Sequence, residues 1–182
     1  MRTMKALLIV DPQNDFMPGG SLAVPDGDQI IPFINNHRDY YEMVVWTKDW
    51  HPEKHCSFKE NGGIWPRHCV QFTQGAWYHQ KLDFRAGDYV VTKGKDKKFD
   101  SYSAFKDDGG TFTGLKELLD NKGIKEIDVC GLALEYCVKF TVMDALALGF
   151  KVNLITAGCR GLQEEDIQKA LSEMEQAGAT IR

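Results

Sequence analysis

The sequence has no long apolar run. Its one early candidate, Ala6 to Val10, is cut off by Asp11 and is too short for a signal-peptide core or a membrane span, so a cytoplasmic protein with no membrane partner is expected. There is no excess of positive charge either: 22 Lys and Arg against 26 Asp and Glu leave a net charge of −4, which argues against nucleic acid as a partner. Five cysteines (Cys56, Cys69, Cys130, Cys137, Cys159) are an odd number scattered without a CxxC pair, which excludes a disulfide framework and a zinc finger and leaves reduced thiols. Internal repeats, low-complexity tracts and linkers are also missing. What is there is an ordinary globular composition, 43% hydrophobic and 26% charged over 182 residues. A single domain spanning 1–182 is expected, long enough to remove roughly 70% of its unfolded surface from water.

Strand-like runs recur at Lys5 to Val10, Met43 to Thr47, Tyr89 to Thr92, Glu126 to Cys130 and Lys151 to Ile155, with a further one at Ala179 to Arg182. Several are apolar on both faces, the mark of parallel strands covered above and below. Helical spacing is found between them, at about Gln29 to Tyr41, Gly114 to Asn121, Tyr136 to Leu148 and Glu164 to Gln176. Gly123, Gly149 and Gly178 supply helix stops. The alternation predicts an α/β fold, an open doubly wound parallel sheet of about six strands with helices on both faces, binding ligands at the carboxyl ends of the strands.

The stretch Gly131 to Thr141, GLALEYCVKFT, puts Cys137 where a strand hands over to a helix. In the first turn of a helix, unpaired N–H groups and the positive end of the dipole lower a thiol pKa and offer donors to an oxyanion, so Cys137 is a candidate nucleophile. The bland alternative is a small buried apolar residue. Two other strand ends deliver Asp11, in IVDPQNDF, and Lys93, in YVVTKG, to the same edge of the sheet. An acid, a base and a thiol thus converge, which favours the nucleophile reading. Asp15, in the same motif as Asp11, reads as a loop cap.

The exception to the alternation is Lys48 to Asp88, about forty residues rich in His, Trp, Gly and Pro, and loops of that length inside a domain are usually functional. Within it, DWHPEKH and WPRHC carry Asp49, His51, His55 and His68. Extended backbone after a strand puts Asp49 and His51 on one face, where an oxygen and an imidazole can bind one cation, and His68 closes the set from the far side. Nitrogen and oxygen donors together suit zinc, manganese or iron(II). Lone loop histidines are more often solvated or caps.

Taken in order, IVDPQNDF, TKDWHPEKHCSF, WPRHC, TKG with SYSAF, GLALEYCVKFT and TAGCRGL resemble the nicotinamidase branch of the isochorismatase-like cysteine hydrolases. The resemblance implies a triad of Asp11, Lys93 and Cys137, and one divalent metal, zinc first, on Asp49, His51 and His68, with His55 or Glu60 as a candidate fourth ligand. It also implies a non-proline cis peptide between Leu132 and Ala133, an oxyanion hole from the N–H groups of Ala133 and Cys137, and pocket aromatics Phe16, Trp65 and Tyr102. The implied reaction turns nicotinamide and water into nicotinate and ammonia through a thioester, in a monomer or a homo-oligomer. Hydrolysis of another small carboxamide, or of isochorismate, stands as an alternative, as does a thiol redox sensor or metal-binding protein without hydrolytic turnover.

Overall fold

The structure, a computed structural model, describes residues 4–182, so the first three positions of the expected domain lie outside the described residues. Its frame is one six-stranded parallel sheet. The strands are β1 (Lys5–Val10), β2 (Met43–Asp49), β3 (Tyr89–Lys93), β4 (Glu126–Gly131), β5 (Lys151–Cys159) and β6 (Thr180–Ile181). They lie in the order β3-β2-β1-β4-β5-β6. The chain therefore builds outward from β1 in one direction, returns, and builds outward from β4 in the other. That reversal opens a crevice above the carboxyl ends of β1 and β4. Every residue of β4, and all but the first of β1, is buried, so both faces of the central strands are covered. The helices are α1 (Ile30–His37), α2 (Leu115–Asn121), α3 (Lys139–Ala147) and α4 (Glu164–Gln176), and among the described residues none is long and apolar enough to cross a membrane.

Element ends differ from the sequence expectation in several places, three of them near the carboxyl edge of the sheet. β2 runs on through Lys48 and Asp49, which the sequence assigns to the loop, because β2 keeps pairing with β3 as far as Asp49↔Lys93. β5 extends to Cys159 rather than ending at Ile155: Val129 pairs with Leu154 but Gly131 with Cys159, a bulge that only cross-strand pairing reveals. Cys137 lies in a π-turn, Leu134–Val138, which precedes α3, and not in the first turn of an ordinary α-helix. The wider π-turn is what carries the chain from β4 into α3, and such turns are frequent at functional sites. Beneath it, Gly131 has φ +127°, and a Cβ there would lie 2.1 Å from the Val10 carbonyl oxygen, so only glycine lets β4 pass β1 at this point.

The long loop is tied down at its far end by one charged cluster. Arg38, buried after α1, makes a two-pronged pair with Asp88, Nη2 to Oδ1 at 2.7 Å and Nη1 to Oδ2 at 2.8 Å. Trp46 Nε1 and the Arg85 N–H donate to the same carboxylate at 2.8 and 2.9 Å. These bonds hold the chain just before β3 and so set where Lys93 emerges. Asp88→Asn removes the charge of the one carboxylate that meets the buried guanidinium at hydrogen-bond distance, leaving Asp39 and Asp83 at 3.9 and 3.8 Å from Nε, and we expect a loss of about 2 kcal/mol in urea unfolding. A change within the ~0.5 kcal/mol typical of surface substitutions would show that the cluster does not anchor the loop.

Candidate active site and metal centre

Because the strands are parallel, their carboxyl ends share one edge, and four of them deliver chemistry there. Lys93 ends β3, Asp49 ends β2 as its direct register partner, Asp11 follows β1 with φ 47°, and Cys137 follows β4. Lys93 is fully buried at the centre. Its Nζ lies 2.8 Å from Asp11 Oδ2, 2.6 Å from Asp49 Oδ1, 2.8 Å from the Ser101 carbonyl oxygen and 3.3 Å from Cys137 Sγ. Oxygens of Asp11, Asp49 and Ser101 thus surround the ammonium at 2.6 to 2.8 Å, and the Cys137 sulfur is its fourth neighbour.

The charges hold one another in place. Burial works against the Lys93 charge, but Asp11, Asp49 and Cys137 keep its pKa well above the ordinary value. Burial raises Asp11, with Lys93 opposing and Asp49 reinforcing the rise. Asp49 goes the other way: burial alone would raise it, but Lys93, His51 and His68 hold it well below the usual carboxylate range. The Cys137 thiol corrects the sequence expectation of a lowered pKa. Burial pushes it well up, Lys93 opposes, and the two carboxylates add to the rise, so burial, reinforced by the carboxylates, outweighs the turn around the cysteine.

Asp49 also faces the loop. Its Oδ2 is 3.4 Å from His51 Nε2 and 4.0 Å from His68 Nε2, and one ligating atom from each of the three residues falls within 4.8 Å of the others. The other ring nitrogens are occupied: His51 Nδ1 lies 2.9 Å from the Gly94 carbonyl oxygen, and His68 Nδ1 lies 2.7 Å from that of Pro66. A carbonyl only accepts, so each Nδ1 donates its hydrogen, which leaves Nε2, the nitrogen facing Asp49, as the one able to bind a metal. Metal-binding histidines are held in this way. The donor set therefore fits a divalent metal.

Neither candidate fourth ligand joins this group. His55 is stacked on His51 at 3.9 Å, and its nitrogens face Ser57 Oγ at 2.7 Å and the Phe99 carbonyl oxygen at 3.1 Å. Burial and the neighbouring His51 push its pKa down to about 4. Glu60 is exposed on the loop and pairs with Arg67 at 3.2 Å. The thiol, Asp49 and His68 open onto one pocket of about 410 Å³, open mouth included. Phe16, Trp65, Tyr102, Ala133 and Cys137 all line it, and the Leu132–Ala133 peptide is cis.

Several contributors carry no sequence signal of their own. Tyr136 and Asp100 also line the pocket; Tyr136 meets Trp65 edge-on at 4.9 Å, and Trp65 Nε1 donates to the Tyr102 hydroxyl at 2.8 Å. Gln13 is wholly buried and clasps Asp49: its Oε1 accepts the Asp49 N–H at 2.8 Å, and its Nε2 donates to the Asp49 carbonyl at 2.8 Å and to that of Ala76 at 3.0 Å. Gln13 sits in the IVDPQNDF motif, so the motif marked the position without stating its task. Asp15 does cap the loop, as expected, accepting the Cys69 N–H at 2.7 Å directly after His68.

Comparison with known proteins agrees with this arrangement. The isochorismatase domain profile matches residues 5–182. The nicotinamidase of Escherichia coli K12 is 45% identical, over 97% of this chain and 93% of its own length. The pyrazinamidase of Pyrococcus horikoshii, solved in complex with zinc, superimposes with a TM-score of 0.90 at 43% identity, covering 98% of each chain. PnC1 of L. infantum, solved in complex with nicotinate, gives 0.96 at 40% identity, covering 99% of this chain and 92% of that one. With the profile covering nearly its whole length, this chain belongs to the isochorismatase domain family.

Proposed function

We propose that the protein hydrolyses nicotinamide to nicotinate and ammonia, with Asp11, Lys93 and Cys137 as its catalytic residues. The observation that carries the reading is the meeting, in one pocket, of a thiol 3.3 Å from a buried ammonium with a separate aspartate–histidine donor set. Relatives known as nicotinamidases over nearly the whole chain support the substrate.

In this reading Asp11 takes the Cys137 proton as sulfur attacks the carboxamide carbon. The raised pKa of Asp11 suits a base that must hold that proton. The carbonyl oxygen gains charge and meets the N–H groups of Ala133 and Cys137, each such donor contributing about 3 kcal/mol in comparable sites. Asp11 returns the proton to the nitrogen, the C–N bond breaks, and ammonia leaves a thioester on Cys137. Water, deprotonated by Asp11, then breaks the C–S bond and gives nicotinate and the free thiol. Lys93 stays protonated throughout and offsets the negative charge that passes between Asp11 and Cys137. Trp65, Tyr102 and Phe16 hold the ring. A divalent metal, zinc first, held by Asp49, His51 and His68, would supply a Lewis-acid partner for the pyridine nitrogen. Five free cysteines support a reducing, cytoplasmic setting for a single-domain enzyme.

Three outcomes are expected. Cys137→Ala abolishes ammonia release with an unchanged circular dichroism spectrum; turnover near wild type in that variant would remove the nucleophile assignment. Asp11→Asn lowers kcat by at least about a hundredfold, and by more than Lys93→Ala, because asparagine keeps the shape but cannot take the proton. Near-normal kcat for Asp11→Asn would make Asp11 structural. Chelation should remove activity, and zinc, manganese or iron(II) should restore it. The restored enzyme should turn over nicotinamide far faster than benzamide, which lacks the ring nitrogen, whereas equal rates would mean that the metal does not read the ring.

A further inference from the structure

Asp11 meets a fully buried hydroxyl that the reaction above does not use. Its N–H donates to Thr47 Oγ1 at 3.2 Å, and Thr47 Oγ1 donates back to Asp11 Oδ1 at 2.7 Å. Thr47 thus grips the backbone and the carboxylate of one residue at once. It is placed to do so by register: Ile9 pairs with Trp46, so Thr47 stands beside the end of β1. Thr47 and Asp49 are two apart on β2 and share a face, one turned to Asp11 and the other to Lys93.

The consequence lies in the two carboxylate oxygens. Oδ1 is occupied by the Thr47 hydroxyl. Oδ2 faces the Lys93 ammonium at 2.8 Å, so each oxygen is held by one donor and the two together fix the plane of the carboxylate. Asp11 in turn stands within 4.8 Å of the Cys137 sulfur. A carboxylate turned part-way about its Cβ–Cγ bond would give up the Thr47 hydroxyl and change its approach to the sulfur.

We propose that Thr47 is a positioning residue, whose hydroxyl fixes the Asp11 carboxylate so that it faces the thiol and receives its proton. The proposal rests on the thiol reaction described above, and its test includes a readout that needs no amide substrate.

The experiment compares Thr47→Val and Thr47→Ser with wild type by steady-state kinetics on nicotinamide and by the rate of iodoacetamide labelling of Cys137, followed by mass spectrometry. Valine keeps the shape and removes the hydroxyl: kcat should fall at least about tenfold with KM within about twofold, because ground-state binding is untouched, and Cys137 labelling should slow in parallel. Serine keeps the hydroxyl and should keep both rates. If valine packs badly, Thr47→Ala, which has room, carries the same test. A folded Val or Ala variant with wild-type kcat and labelling would reduce Thr47 to packing, and a Ser variant as impaired as Val would assign the effect to the methyl group. If wild type fails to release ammonia while labelling still depends on the hydroxyl, the inference about Thr47 stands and the substrate reading falls.

Discussion

A lysine ammonium with no solvent contact is the constraint on which this site depends. Removing a charge from water is expensive, and the cost is offset only when counter-charges and acceptors surround it closely. Lys93 meets that condition with Asp11, Asp49, the Ser101 carbonyl and Cys137. Each partner arrives from a different strand end or loop, so the ammonium is satisfied only when the sheet is in register. The parallel sheet makes this feasible because all of its carboxyl ends lie at one edge. Fold and site are in this sense one arrangement, since losing the order β3-β2-β1-β4 would leave a buried charge alone.

The long loop shows a second way of building order. It has almost no regular structure, and its fixed points are polar side chains that meet backbone groups. Gln13 holds Asp49, Asp15 holds the amide after His68, and His51 and His68 each use Nδ1 on a carbonyl. Such bonds need no periodicity, only the right residue at one place. They also fix which imidazole nitrogen is left over, so the same contacts that order the loop orient the donors toward Asp49.

This difference explains what the sequence discloses. Asp11, Asp49, Lys93 and Cys137 are legible because each sits where an apolar run ends, and alternation along a strand is a local signal. The extension of β5 is not legible, because it depends on a bulge opposite Gly131 that only the neighbouring strand defines. The raised thiol pKa is hidden for a related reason: the turn around Cys137 points one way, and burial with two carboxylates brought from elsewhere points the other. His55 is indistinguishable from His51 as a residue type, and only its contacts with Ser57 and Phe99 set it apart. Gln13 and Thr47 act through positions thirty-six residues away in either direction along the chain, and neither composition nor spacing carries that information.

Asp49 is where the two halves meet. Its Oδ1 faces Lys93 and its Oδ2 faces the imidazoles, so one carboxylate belongs to both the thiol cluster and the metal donor set. Lys93 is the chief influence holding the thiol down, whereas Asp49 raises it. Because a carboxylate is rigid, its two contacts share one rotamer: a turn that closed Oδ2 onto the imidazoles would carry Oδ1 off the ammonium whose Nζ lies 3.3 Å from the sulfur.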